Sequence, residues 1–298
     1  MPVIIFKKVY DELRMNCYLC NSDSHTLLKD RVRDREDLNV LRCNNCALVF
    51  LDKKDHINES FYEQGGMGKS VISSNIAATT DQTDTDKRFS LYNNFFENKK
   101  ILDFGCGKGS LLKKIKASGI TKELFALEPN EICRKYLIKD FEVFSDIEEI
   151  PDKSFDVITL FHVLEHIKDP LAVLNRLYSK LSENGKLIIE IPSSADILVN
   201  LYDCEAFSDF TYWSCHLYLF NEDNLKTLLE KTDFKIGSIS QYQRYTLANH
   251  LHWLAEGKPG GHVKWNFLED KKLQAQYEKK LAEIKQCDSL VAILEKLI

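Results

Sequence analysis

No stretch of this 298-residue sequence stays apolar for anything near the roughly 20 residues that a bilayer-spanning helix requires. No membrane span is expected. No secretory leader is expected either, because MPVIIFKKVYDELR has only a short apolar stretch before charge begins. The expectation is therefore a cytoplasmic protein. An excess of positive charge is absent as well: 40 Lys and Arg face 45 Asp and Glu, a net charge of −5, which argues against a nucleic-acid partner. Disulfide logic is lacking too. The cysteine count of nine is odd, and Cys106, Cys133, Cys204, Cys215 and Cys287 are scattered without pairing, so reduced thiols are expected. What remains is ordinary globular composition, 44 % apolar and 29 % charged, on a chain long enough for one central domain with smaller additions.

The other four cysteines form a pattern. Cys17-Tyr-Leu-Cys20 and Cys43-Asn-Asn-Cys46 are two C-x₂-C knuckles, each able to aim two thiolates at one ion. All four positions are sulfur, so a zinc-ribbon-like module with a structural Zn²⁺ is expected, not a catalytic metal with an open position. Metal binding would fold a segment too small to hold a core alone.

From about residue 98 the chain alternates apolar strands with amphipathic helices. Strands are predicted at Ile101–Phe104, Glu123–Glu128, Asp156–Phe161 and Lys186–Ile191. Asn130 is placed to cap one helix, and Asp169-Pro170 to open another that carries Leu171, Leu174, Leu177 and Leu181 on one face. Ser182–Gly185 reads as the turn into the last strand. The alternation predicts an α/β fold, a Rossmann-like parallel sheet with helices on both faces, whose ligand lies beyond the carboxyl ends of the strands. The chemistry-bearing segment is Asp103-Phe-Gly105-Cys-Gly107-Lys-Gly109. Its third glycine comes four residues after the first rather than five, and an acid precedes the bend. Asp103 would repel a pyrophosphate but suits the ammonium of a methionine moiety. Glu128, ending the second strand, can accept both hydroxyls of a ribose.

ILDFGCGKGSLL, ALEPN and SFDVITLFHVLEHIKDP together resemble the class I S-adenosylmethionine-dependent methyltransferase superfamily. The resemblance implies that Asp103, Gly105 and Gly107 line the methionine and ribose end, with Gly109 allowing close helix packing. It implies further that Glu128 holds the ribose, Asp146 the adenine amine, and that Phe161 and His162 flank the cofactor. An aromatic cover is implied at Tyr62, and the polar stretch Ser70–Asp86 would close over the pocket as a mobile lid. S-Adenosylhomocysteine would be the product. On this resemblance, 1–58 is the zinc module, 59–245 the methyltransferase domain and 246–298 a C-terminal helical extension that completes the substrate side.

More loosely, Phe210-Thr-Tyr-Trp-Ser-Cys-His216-Leu-Tyr-Leu-Phe220 is similar to a histidine-rich segment of C-methyltransferases that act on nucleotide-linked deoxysugars and also carry a four-cysteine module. The resemblance makes His216 the general base and Tyr212 a second catalytic candidate. Ser214 and Cys215 depart from that segment, so O- or N-methylation stands beside C-methylation. The expected acceptor is a small molecule, a nucleotide-activated sugar or related precursor of a surface polysaccharide. The alternative is an RNA or protein methyltransferase that uses the zinc module for recognition, with Arg31, Arg33 and Arg35 as a basic stripe among interleaved acids. His250 and His252 are expected on a strand, facing one side. The tail from Leu268 is expected to form a long packing helix. The oligomeric state stays open.

Overall fold

A computed structural model describes residues 15–63 and 75–297, without the side chains of 59, 60 and 75–81. Three short strands come first, β1 (His25–Lys29), β2 (Val40–Cys43) and β3 (Val49–Leu51), followed by helices α1 (Glu59–Glu63) and α2 (Asn75–Phe96). The central stretch runs β4 (Lys100–Phe104), α3 (Ser110–Ser118), β5 (Glu123–Leu127), α4 (Glu131–Leu137), β6 (Glu142–Phe144), β7 (Phe155–Phe161), α5 (Pro170–Lys180) and β8 (Leu181–Pro192). Then come α6 (Ile197–Asn200), α7 (Glu205–Thr211), β9 (Tyr218–Leu219), α8 (Glu222–Leu229), β10 (Lys235–Tyr242), α9 (Leu247–Glu256), α10 (Gly261–Lys264), α11 (Lys271–Glu283) and β11 (Ser289–Glu295).

Local chemistry explains the helix starts. The side chain of Asn130 accepts from the Cys133 N–H at the head of α4, and that of Asp169 accepts from the Ala172 N–H with Pro170 in the first turn of α5. Asn221 and Asn224 close a reciprocal capping box on α8. Gly119, at φ 68, ends α3 in the left-handed conformation that glycine adopts without penalty. The sheet that these helices cover has seven strands in the order β10-β11-β8-β7-β4-β5-β6. Strands β4 to β8 run parallel, and β11 lies antiparallel between β8 and β10. Ile101, Leu102, Ile158, Leu160 and Leu187–Ile189 are all fully buried, as expected of strands covered on both faces.

Four expectations change. Residues 289–295 form an inner strand of the main sheet, so the segment 246–298 is not wholly an extension outside it. The tail helix is accordingly confined to 271–283, with Leu281 buried but Leu273 and Ile284 exposed. His250 and His252 lie on helix α9, not on a strand, because Thr246 caps the segment by accepting from the Asn249 N–H. Of the polar stretch Ser70–Asp86, the part from Asn75 onward is regular helix, while 70–74 lie outside the described residues. The turn at Ser182–Gly185 survives as an irregularity within β8, where Asn184 takes φ 61 and pairing with β7 skips from Leu181 to Lys186.

The cysteine segment is joined to the main domain through its own sheet. β1, β2, β3 and β9 form a four-stranded antiparallel sheet, and β9 is contributed from beyond the main sheet's fifth parallel strand. Val49 faces Leu219 and Phe50 faces Tyr218 across that seam. Polar contacts reinforce it. The Tyr18 hydroxyl donates to Asp169 at 2.6 Å, and Asp34 accepts from both the backbone N–H (3.0 Å) and the hydroxyl (2.6 Å) of Ser214.

Candidate active site

A cleft of about 630 Å³ opens at the carboxyl ends of β4, β5 and β7, the position where parallel α/β sheets take their ligands. Its wall includes Tyr62, Gly105, Gly107, Glu128, Asp146, His162 and His166. The bend after β4 builds the floor. Gly105, Gly107 and Gly109 all take left-handed φ values, 74°, 57° and 70°. At Gly105 a Cβ would stand 2.6 Å from Val163 Cγ2, and at Gly109 one would stand 2.5 Å from Leu137 Cδ2, whereas at Gly107 it would meet nothing within 4 Å. The three positions therefore differ in cost. Gly107→Ala should lose roughly 1–2 kcal/mol from backbone conformation alone. Gly109→Ala adds roughly 1–3 kcal/mol of overpacking against buried Leu137. Urea unfolding of the two variants checks the order, and equal losses would refute the packing role of Gly109.

Glu128 locks this bend. Its Oε2 accepts the Gly107 N–H at 2.7 Å and its Oε1 accepts the Asn130 N–H at 2.8 Å. Burial pushes its carboxyl upward from the ordinary range, offset by those two N–H bonds. Each oxygen keeps capacity to accept a further hydrogen bond. Tyr62 closes the opposite side, its hydroxyl donating to the His166 carbonyl at 3.1 Å while its own carbonyl accepts from Asn130 Nδ2 at 3.2 Å. Asp146 lines the cleft and accepts the Glu148 N–H at 2.8 Å.

Other expected residues stand elsewhere. Asp103 is buried beneath the bend, accepting the Thr159 hydroxyl at 2.7 Å, and burial raises its pKa to about 6. Phe161 is not among the residues that line the cleft and stacks on Tyr92 with ring centres 5.5 Å apart. Tyr212 is buried at the seam with the cysteine segment, where burial lifts its phenol to about 12. His216 does not reach the cleft wall but sits behind His166, the rings 5.0 Å apart. Burial, reinforced by the His166 imidazole, lowers its pKa to about 3. Neither proposed catalytic side chain on the aromatic segment lines the cleft.

The sequence reading missed a buried ionic row beside His162. His162 takes φ 56, and its ring nitrogens approach Glu165 Oε1 at 3.3 Å and Glu190 Oε1 at 3.1 Å. Glu190 is fully buried and pairs with Arg88 at 2.7 Å, while Arg244 pairs with Asp84. One signal was present: an acid between Ile189 and Ile191 in an otherwise apolar strand must bring its own counter-charge.

Cys17, Cys20, Cys43 and Cys46 converge as expected. The Sγ atoms of Cys17 and Cys46, and of Cys20 and Cys43, are each 3.5 Å apart, and all four lie within 4.8 Å of one another. A tetrahedral zinc with sulfur at about 2.3 Å places its sulfurs slightly under 4 Å apart, so the donor set fits that ion. His250 and His252 are structural: their Nδ1 atoms bond the Tyr277 hydroxyl (2.8 Å) and the Lys258 carbonyl (2.7 Å).

A parallel sheet whose glycine bend is bonded by the acid that follows the next strand defines a Rossmann-like α/β protein with a cleft at the carboxyl edge of its strands. Comparison narrows this: the chain belongs to the methyltransferase-domain family, which matches residues 82–239, more than half of its length. It is 27 % identical over 154 residues to the mitochondrial ubiquinone biosynthesis O-methyltransferase of Schizosaccharomyces pombe, covering 47 % of this chain and 55 % of that protein. To the ubiquinone biosynthesis O-methyltransferase of Histophilus somni it is 32 % identical over 108 residues, covering 32 % and 45 %. The chain thus spans about half the length of these curated relatives. The fold matches a crystal structure of a SAM-dependent methyltransferase from Archaeoglobus fulgidus with a TM-score of 0.50 at 21 % identity, over 72 % of this chain and 94 % of that one.

Proposed function

We propose that the protein transfers a methyl group from S-adenosylmethionine to a hydroxyl of a small polar acceptor, a nucleotide-activated sugar or related precursor of a surface polysaccharide. The observation that carries the cofactor reading is Glu128, an acid at the end of β5 that faces the cleft while gripping the glycine bend. On this reading Glu128 accepts the ribose hydroxyls, Asp146 the adenine amine, and Tyr62 and His162 flank the bound nucleoside. The cofactor, when bound, supplies an activated methyl group. The chain's task is then to align the acceptor and exclude water.

Among the described residues His162 and His166 are the imidazoles that line the cleft, which makes them better placed than His216 to meet an acceptor hydroxyl. The relatives' O-methyltransferase names favour oxygen as the accepting atom. The four-cysteine segment is read as a structural zinc module. An RNA-recognition role for it has less support, because Lys29 pairs with Asp209 at 2.7 Å and the Arg33 guanidinium lies 4.3 Å from the Trp213 ring centre. Part of its basic stripe is turned on the protein's own domain.

The test is release of S-adenosylhomocysteine from S-adenosylmethionine during incubation with nucleotide-activated sugars, catechols and total RNA in parallel. Turnover with the sugars is expected. Turnover with catechols alone, or RNA methylation with steeply salt-dependent binding, would overturn the acceptor assignment.

A further inference from the structure

Behind the cleft wall, Glu165, His166 and His216 form a cluster that the architecture alone does not require. One donor atom from each lies within 4.8 Å of the other two. Glu165 is fully buried on the short turn Leu164–His166, where its Oε1 meets His162 Nδ1 at 3.3 Å and its Oε2 has no hydrogen-bond partner among the described residues. The His216 Nδ1 is likewise buried without one. A buried carboxylate oxygen left unsatisfied is costly, so such groups normally gain a further donor or coordinate a metal. The other ring nitrogen of His162 is directed to Glu190 at 3.1 Å.

The third ligand is pre-oriented. His166 Nδ1 lies 2.7 Å from the Cys215 carbonyl, and a carbonyl only accepts, so Nδ1 carries the proton and Nε2 presents a lone pair. That Nε2 is 3.7 Å from Glu165 Oε1. Donors at about 2.1 Å from a zinc-like ion stand roughly 3–4 Å apart, so this spacing needs little adjustment. An imidazole whose other nitrogen donates to a backbone carbonyl is also the usual arrangement of a metal-ligating histidine.

We propose that Glu165, His166 and His216 bind a divalent transition-metal ion, distinct from the four-cysteine site, whose open coordination position faces the cleft beside His166. Two imidazoles with one carboxylate favour zinc, iron or cobalt over magnesium or calcium, which prefer all-oxygen sites. The open position would take an oxygen ligand such as a hydroxyl or carboxylate of an acceptor. The site explains why His216, distant in sequence and out of reach of the cleft, is drawn against the His166 turn. It stands whether or not the methyl-transfer reading holds.

The test uses the full chain loaded with Co²⁺, freed of excess, and examined by metal analysis and visible absorption. The expected result is one bound equivalent without thiolate-to-cobalt charge transfer, in addition to the thiolate-bound equivalent at the cysteines. His216→Ala and Glu165→Gln should each lose that equivalent while the thiolate bands and circular dichroism stay unchanged, which shows that the variants fold. If all cobalt bound by the unaltered protein is thiolate-ligated, or if both folded variants keep the non-thiolate equivalent, the proposal fails. S-Adenosylhomocysteine binding, measured on the same samples, reports separately on the cofactor reading.

Discussion

S-Adenosylhomocysteine at about a hundredfold over its dissociation constant should stabilise the unaltered chain by about 2.7 kcal/mol, a rise of several degrees in melting temperature. Glu128→Ala, at the same ligand concentration, should cut that stabilisation to about 1.4 kcal/mol or less. The variant removes the carboxylate proposed to hold the ribose and also frees the Gly107 and Asn130 N–H groups that this carboxylate now binds at 2.7 and 2.8 Å. Hydrogen bonds to charged groups contribute about 1.5–3 kcal/mol each, so the affinity loss should exceed tenfold. Calorimetric titration separates this from instability, because the bend is part of the fold as well as of the cleft. An affinity within threefold of the unaltered chain would show that the nucleoside does not rest on Glu128.

Stripping the zinc proposed for the four-cysteine site should loosen more than residues 15–51. Apparent binding energies of structural zinc sites reach about 10–16 kcal/mol, comparable with or greater than the whole stability of a typical domain. The sheet next to the four cysteines ends in β9, so β9 should lose its partner β3 when the module melts. Chelation is therefore expected to raise hydrogen exchange at Tyr218 and Leu219, and around Ser214, which is bonded to Asp34. Exchange in β7, which pairs with β4 and β8, should change little. Protection of β9 that survives metal removal would refute the coupling.

The seam also bears on how a cleft-facing residue is held. The aromatic segment between α7 and β9 supplies the Cys215 carbonyl that fixes the His166 ring, and Asp34 of the cysteine segment holds the neighbouring Ser214. Loss of the metal should thus disturb His166 through two hydrogen-bonded steps, without the cysteines touching the cleft.

The sequence by itself determined the features set by short windows. The two C-x₂-C knuckles, the glycine bend, the Asn130 and Asp169 caps and the apolar strands from Ile101 to Ile191 are each fixed by a few neighbouring residues, whose backbone and turn chemistry is local. Glu128 was legible because strand length places it at the cleft. Only the tertiary structure decided what depends on distant partners. It inserted 289–295 between β8 and β10, gave β9 to the module sheet, buried Asp103 under its own bend, and set His216 behind His166 rather than in the cleft. Strand partners and the depth of a side chain follow from contacts far apart in the chain, and no local period records them.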